Sequence, residues 1–147
     1  MGVRIESARP NDSDAIVQLL KDCQLPPDGL LEHLDTALVA RADDGVVGSA
    51  ALEVYSDGAL LRSVAVHATM RGSGLGYRLT ESALDLARTL NVPAVYLRTN
   101  TAAAFFPKFG FERIERTHVP DGVSGSIEFQ SVCCSSAVAM RKVLADR

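Results

Sequence analysis

Between Leu60 and Leu90 the chain runs through an apolar segment, a loop reading R-G-S-G-L-G at 71–76, and a long apolar stripe at helical spacing. This order constrains the fold more than any other stretch. Leu60, Leu61, Val64, Ala65 and Val66 read as a buried strand, with β-branched residues near its end. Leu75, Leu79, Ala83, Leu86, Ala87 and Leu90 form one helical face that must pack on a sheet. The first turn of such a helix leaves backbone N–H groups unpaired and carries a partial positive charge, so it favours an anion. Gly72, Gly74 and Gly76 let a ligand approach the main chain, and Arg71 adds a charge able to bond phosphate in a fork. The stretch can therefore grip a pyrophosphate. It can also be a plain strand-to-helix turn in which the glycines serve geometry alone.

Two phosphate-binding patterns are excluded. A nucleoside-triphosphate loop needs a Gly-Lys pair, and the chain has none; the dinucleotide fingerprint fails because its third glycine is missing. The 147 residues, 47% hydrophobic and 22% charged, suit one compact domain over 1–147. A net charge of -3 with scattered basic residues argues against nucleic acid as a partner. With no apolar run of membrane-spanning length and no leader pattern, a soluble cytoplasmic protein with no membrane partner is expected. Cys23, Cys133 and Cys134 make a poor disulfide framework and no metal-ligand spacing, and His33, His67 and His118 read as unrelated, so no metal is expected.

The remaining elements follow from periodicity and turn residues. Val3–Ser7 alternates as a strand; Asn11 or Asp12 can cap a helix with Ile16, Leu19, Leu20 and Cys23 on its apolar face. Pro26-Pro27 ends it, and Asp28 can cap a short second helix through Leu34. Thr36–Arg41, Val46–Tyr55 and the central strand are joined by turns at 43–45 and 56–58, which implies three consecutive antiparallel strands. Asn91-Val92-Pro93 stops the long helix, and Ala94–Leu97 returns as a strand parallel to the central one. A helix over Thr101–Lys108, a strand at Glu112–Arg116, helical character from Pro120 to Ser131 and a strand at Ser136–Leu144 complete the order. The fold class is α+β, with a mixed sheet flanked by helices.

Val64-Ala65-Val66 followed by Arg71, Gly74 and Gly76 resembles the acetyl-CoA loop of the GNAT superfamily of N-acetyltransferases, with its pattern [Q/R]-x-x-G-x-[G/A]. F-F-P-K-F-G-F at 105–111 resembles the superfamily's later aromatic helix. L-E-V-Y at 52–55, L-L-R-S-V-A-V at 60–66, T-N-T-A-A-A-F-F at 99–106 and the serine- and cysteine-bearing 126–137 segment look like the arsenic-resistance N-acetyltransferases and short N-acetylglutamate synthase-like proteins. The resemblance implies a mostly antiparallel sheet whose central strand parts from its parallel neighbour, opening a slot for the pantetheine arm. On the same footing acetyl-CoA is the co-substrate. Val64, Ala65 and Val66 would pair with it, Arg71, Gly72, Ser73, Gly74, Leu75 and Gly76 would hold its diphosphate, and Asn100 and Phe106 would border it.

The chemistry so implied is direct acyl transfer to an amine. A tyrosine common in the superfamily falls at Phe106, and a common acidic base falls at Leu60; neither can move a proton. Glu53 and Tyr55 on the adjacent strand are then the nearest proton carriers, against an ordinary strand end with a solvated carboxylate and a packed ring. Arg62 sits in an otherwise apolar strand and must meet an anion. That anion is either internal, Glu53 or Glu128, or the acceptor's carboxylate. Thr99, Asn100 and Thr101 can bond coenzyme or acceptor, or cap the following helix.

Two function classes follow. One is an N-acetyltransferase for a small amino-acid-like amine, in arsenic-compound or antimetabolite resistance or in arginine-precursor synthesis, with a homodimer as the assembly considered. The other is a non-catalytic acyl-CoA-binding module; protein N-acetylation is a third reading.

Overall fold

The computed structural model describes residues 2–25, 27, 29–43, 45–99, 104–125 and 138–144. Strands β1 (Arg4–Ser7), β2 (Ala37–Ala42), β3 (Gly45–Tyr55), β4 (Gly58–Val66), β5 (Ala94–Thr99), β6 (Glu112–Ile114) and β7 (Val138–Val143) form a single sheet in the order β1-β2-β3-β4-β5-β7-β6. Short turns hold β2, β3 and β4 antiparallel, as the turn residues predict. Between β4 and β5 runs helix α2 (Leu75–Thr89), a crossover that makes this pair the one parallel junction among the described strands.

Opposite faces of the sheet are closed by different elements. Helix α2 lays Leu75, Leu79, Ala83, Leu84 and Ala87 onto Ala50, Leu52, Leu61, Val95 and Leu97. Helix α1 (Ser13–Asp22) lays Ile16, Leu19 and Leu20 onto Val39, Ala51 and Ala65 across the other face. Near the end of that second face, Val119 and Val123, the latter on the one-turn helix α3 (Asp121–Ser124), pack on Leu60 and Tyr96.

Several local expectations change. The sequence predicts a helix over 101–108, but among the described residues there is only a 3-10 turn at Phe106–Phe109, which opens on Pro107 and closes on Gly110 with φ 94°. The second helix is likewise a 3-10 segment, Leu30–Thr36, entered through Gly29 and interrupted at His33. Leu90 falls past the end of α2 and is exposed, while Leu84 takes a place on the buried face. Asp12 stands at the start of α1 but makes no side-chain cap bond to it. Its carboxylate instead accepts from Arg9 N–H and from both terminal nitrogens of Arg41, which also bonds Glu6. That ion-pair group ties β1 to β2. Asp28, Glu128, Cys133, Cys134 and the 126–137 motif lie outside the described residues.

Candidate active site

The loop after β4 reaches α2 through two glycines in the left-handed region, Gly72 at φ 82° and Gly74 at φ 85°. A Cβ at either position would meet nothing within 4 Å, so the backbone angle and not crowding requires glycine there. Past Gly74, the N–H groups of the first helical turn have no acceptor within the helix. They border a cavity of about 310 Å³ lined by the loop together with Val66, Met70, Tyr77, Phe105 and Lys108. Main-chain donors, the helix dipole and a nearby Lys108 suit this space to a diphosphate. Arg71 also borders it, but its guanidinium is partly committed elsewhere: Nε donates to the Val66 carbonyl at 3.3 Å, and Nη2 lies 3.5 Å from Cys23 Sγ.

β4 and β5 pair only at Ala59↔Val95 and Leu60↔Tyr96. Beyond that point they part, because β4 carries a bulge. The register with β3 passes from Ala51↔Arg62 to Ser49↔Ala65, and Ser63 adopts φ 59°. Ser49 fastens the bulge by donating from Oγ to the Ser63 carbonyl at 2.7 Å, in a buried site. The parting opens a cavity of about 230 Å³ lined by Leu25, Leu61, Arg62, Ser63, Val64, Leu97, Arg98, Thr99, Phe105 and Phe106. Phe105 borders both cavities, and β4 supplies Val64 to the slot and Val66 to the loop cavity.

Arg62, on the wall of this slot, is completely buried, and its Nη1 donates to Glu53 Oε2 at 2.8 Å. Nε donates to Ser63 Oγ at 2.9 Å. The other Glu53 oxygen accepts from the Tyr55 hydroxyl at 2.6 Å and lies 3.8 Å from His33 Nε2. Of the anions anticipated for Arg62, Glu53 is therefore one that it meets. The carboxylate is buried behind Arg62, not solvated at a strand end.

Arg62, Val64, Thr99 and Phe106 line the slot, while Val66 and residues 71, 72, 74, 75 and 76 line the loop cavity. Ala65 turns its side chain to the α1 face and lines neither cavity. Ser73 bonds Met70 through its hydroxyl. Asn100 and Thr101 lie outside the described residues. Sequence reasoning missed Leu25, Ser63, Arg98 and Phe105 in the slot, and Met70, Tyr77 and Lys108 at the loop. Arg98 could have been found: like Arg62, it is a charge within an apolar strand. Burial is the main cause lowering the pKa of Arg98, and the like charge of Arg116 lowers it further. Among the described residues no group of His, Cys, Asp or Glu side chains could hold a metal ion.

The family described as Acetyltransferase (GNAT) domain matches residues 33–113. The chain is 35% identical over 100 residues to an amino-acid acetyltransferase of Mycobacterium tuberculosis, an alignment covering 67% of this chain. It spans 54% of that relative's length. In structure it resembles Rv2747 of Mycobacterium tuberculosis, solved with CoA and NLQ, with a TM-score of 0.80 at 30% identity over 96% of this chain and 99% of the other. The N-acetylglutamate synthase of Neisseria gonorrhoeae, solved with coenzyme A and N-acetyl-glutamate, shares the fold with a TM-score of 0.82 at 19% identity, over 99% of this chain and 36% of the other.

Proposed function

This chain belongs to the GNAT acetyltransferase family, and from that premise we propose that it transfers the acetyl group of acetyl-CoA directly to the primary amine of a small, amino-acid-like acceptor. The observation that carries this reading is the parting of β4 from β5 beyond Leu60↔Tyr96. It leaves a slot that shares Phe105 with the glycine-loop cavity and has Arg62 and Arg98 among its walls.

In this reading residues 71–76 hold the diphosphate, chiefly through main-chain N–H groups. The exposed β4 edge at Val64, Ala65 and Val66 pairs with the pantetheine amides. Bound acetyl-CoA supplies an activated acyl carbonyl. Holding amine and carbonyl in one slot removes a barrier contribution of up to roughly 7–11 kcal/mol. Main-chain N–H groups beside the bulge stabilise the negative charge that develops on the carbonyl oxygen. Phe105 and Phe106 keep water from the reacting atoms, and Phe106 has no proton for the departing sulfur, which leaves as thiolate. Arg62 and Thr99, with Asn100 and Thr101 following in sequence, serve the acceptor end. The acceptor's ammonium gives up one proton toward Glu53 and Tyr55, behind Arg62, before it attacks. Once the C–N bond has formed, the nitrogen sheds a second proton to solvent as the C–S bond breaks.

Within the amino-acid class, the acceptors in view are a glutamate-like amino acid and an arsenic-containing one. One catalytic domain, acting in the cytoplasm as a homodimer, completes the proposal. Release of free CoA thiol from acetyl-CoA, measured with each of the common L-amino acids, tests it. At least one amino acid is expected to give a saturable rate. Tight acetyl-CoA binding with no turnover on any amino acid or peptide would instead identify a binding module, and turnover on peptides alone a protein acetyltransferase.

A further inference from the structure

Side-chain alternation along the two parted strands gives the slot two sides. Leu61 and Leu97 belong to the core under α2, together with Phe106. Arg62 and Arg98 follow them in sequence, on the face where Leu60 and Tyr96 pack. Each arginine stands two residues beyond the last parallel pair, Leu60↔Tyr96, so the two occupy equivalent positions on either side of the parting. Both line the same cavity. Arg62 spends Nη1 on Glu53 and Nε on Ser63.

We propose that Arg98 is the residue that grips the acceptor's carboxylate, facing Arg62 across the slot, and that it thereby makes the enzyme prefer amino acids to amines lacking a carboxylate. This rests on the acetyltransferase reading above. A guanidinium has five N–H donors in a planar fork, so engagement along one edge leaves another for a carboxylate. Arg98 brings a positive charge to the wall of a small, largely apolar cavity and Arg116 adds another nearby, whereas the charge of Arg62 is offset by Glu53. Burial and that like charge both oppose the charged form of Arg98, and a bound carboxylate would offset both.

The test compares each common L-amino acid with its carboxamide, on wild type, Arg98→Gln and Arg98→Lys. The readout is kcat/KM, or the dissociation constant in the presence of CoA where there is no turnover. Acetyl-CoA affinity, measured separately by calorimetry, reports on the coenzyme site and on folding. Wild type is expected to favour at least one amino acid over its carboxamide by roughly 10- to 100-fold. Arg98→Gln should bring that ratio near one, with acetyl-CoA affinity retained, while Arg98→Lys should keep part of it because the charge survives without the fork. An unchanged ratio in Arg98→Gln would overturn the proposal, as would a wild type indifferent to the carboxylate. If Arg98→Gln fails to bind acetyl-CoA, Arg98→Lys decides: a full wild-type ratio there refutes a forked contact, and a reduced one supports it. Loss of acetyl-CoA binding in the wild type would refute the acetyltransferase reading instead.

Discussion

Arg62 and Glu53 face each other across neighbouring strands, 2.8 Å apart, with 0% and 1% of their side chains exposed. Their exclusion from water makes the pair costly to break and cheap to replace as a unit. Glu53→Gln takes the countercharge at 2.8 Å from a buried guanidinium, and a loss of about 3–5 kcal/mol in unfolding free energy is expected from urea titration. The double variant Glu53→Met/Arg62→Met should recover most of that loss. A double variant as unstable as the single one would mean that the pair is not what the site depends on.

The bulge on β4 has its own support. Ser49→Ala removes the hydroxyl that donates to the buried Ser63 carbonyl, and a cost of about 1–3 kcal/mol is expected for the orphaned acceptor. Because that bond fixes the turn which parts the strands, KM for acetyl-CoA should rise as well. An effect on stability with no change in KM would separate the bulge from the site.

Two glycines of the loop should respond in opposite directions. Gly74 sits at φ 85°, so Gly74→Ala should cost about 1–2 kcal/mol and weaken acetyl-CoA binding. Gly76 lies within α2 at ordinary angles, and its added Cβ would make normal contacts with Val66 at 3.6 Å and Phe105 at 3.8 Å. Gly76→Ala should therefore raise the unfolding free energy, by up to about 1 kcal/mol. Chemical denaturation of the two variants beside wild type measures both signs.

The ion-pair group of Glu6, Asp12 and Arg41 predicts a pH dependence. The hydrogen bond from Arg41 is the foremost cause holding both carboxyl groups below their usual range. Their folded pKa values are depressed, so their contribution is fully present above the unfolded values near about 4 and is lost as pH falls through the folded ones. Arg41→Met should therefore destabilise at pH 7, and the gap from wild type should close as the pH is lowered below about 4. A gap that stays constant over that range would show that Arg41 acts through packing alone.

Much of this architecture is legible in the sequence because it rests on short-range signals. The strand, glycine loop and helix at 60–90 announce themselves through a change of period from two to 3.6 with glycines between, and turn residues mark the hairpins. The bulge is legible only in hindsight. Ala59 and Leu61 share a face with Val64 and Val66, so the apolar alternation slips phase at Ser63. The 3-10 turn at Phe106–Phe109 defeats a helix expectation because three aromatic rings stack there at edge-on angles, making tertiary packing the stronger influence. Arg98, Tyr77 and Lys108 come from separate elements, and only the folded sheet brings them to the two cavities.

The account depends most on where the coenzyme lies, and diffraction from crystals grown with acetyl-CoA tests that directly. The expected result has the diphosphate within hydrogen-bond distance of the main-chain N–H groups between Gly72 and Gly76, with the thioester lying between Val64 and Leu97 where the strands part. Coenzyme bound at any other surface, with that slot empty, would contradict it.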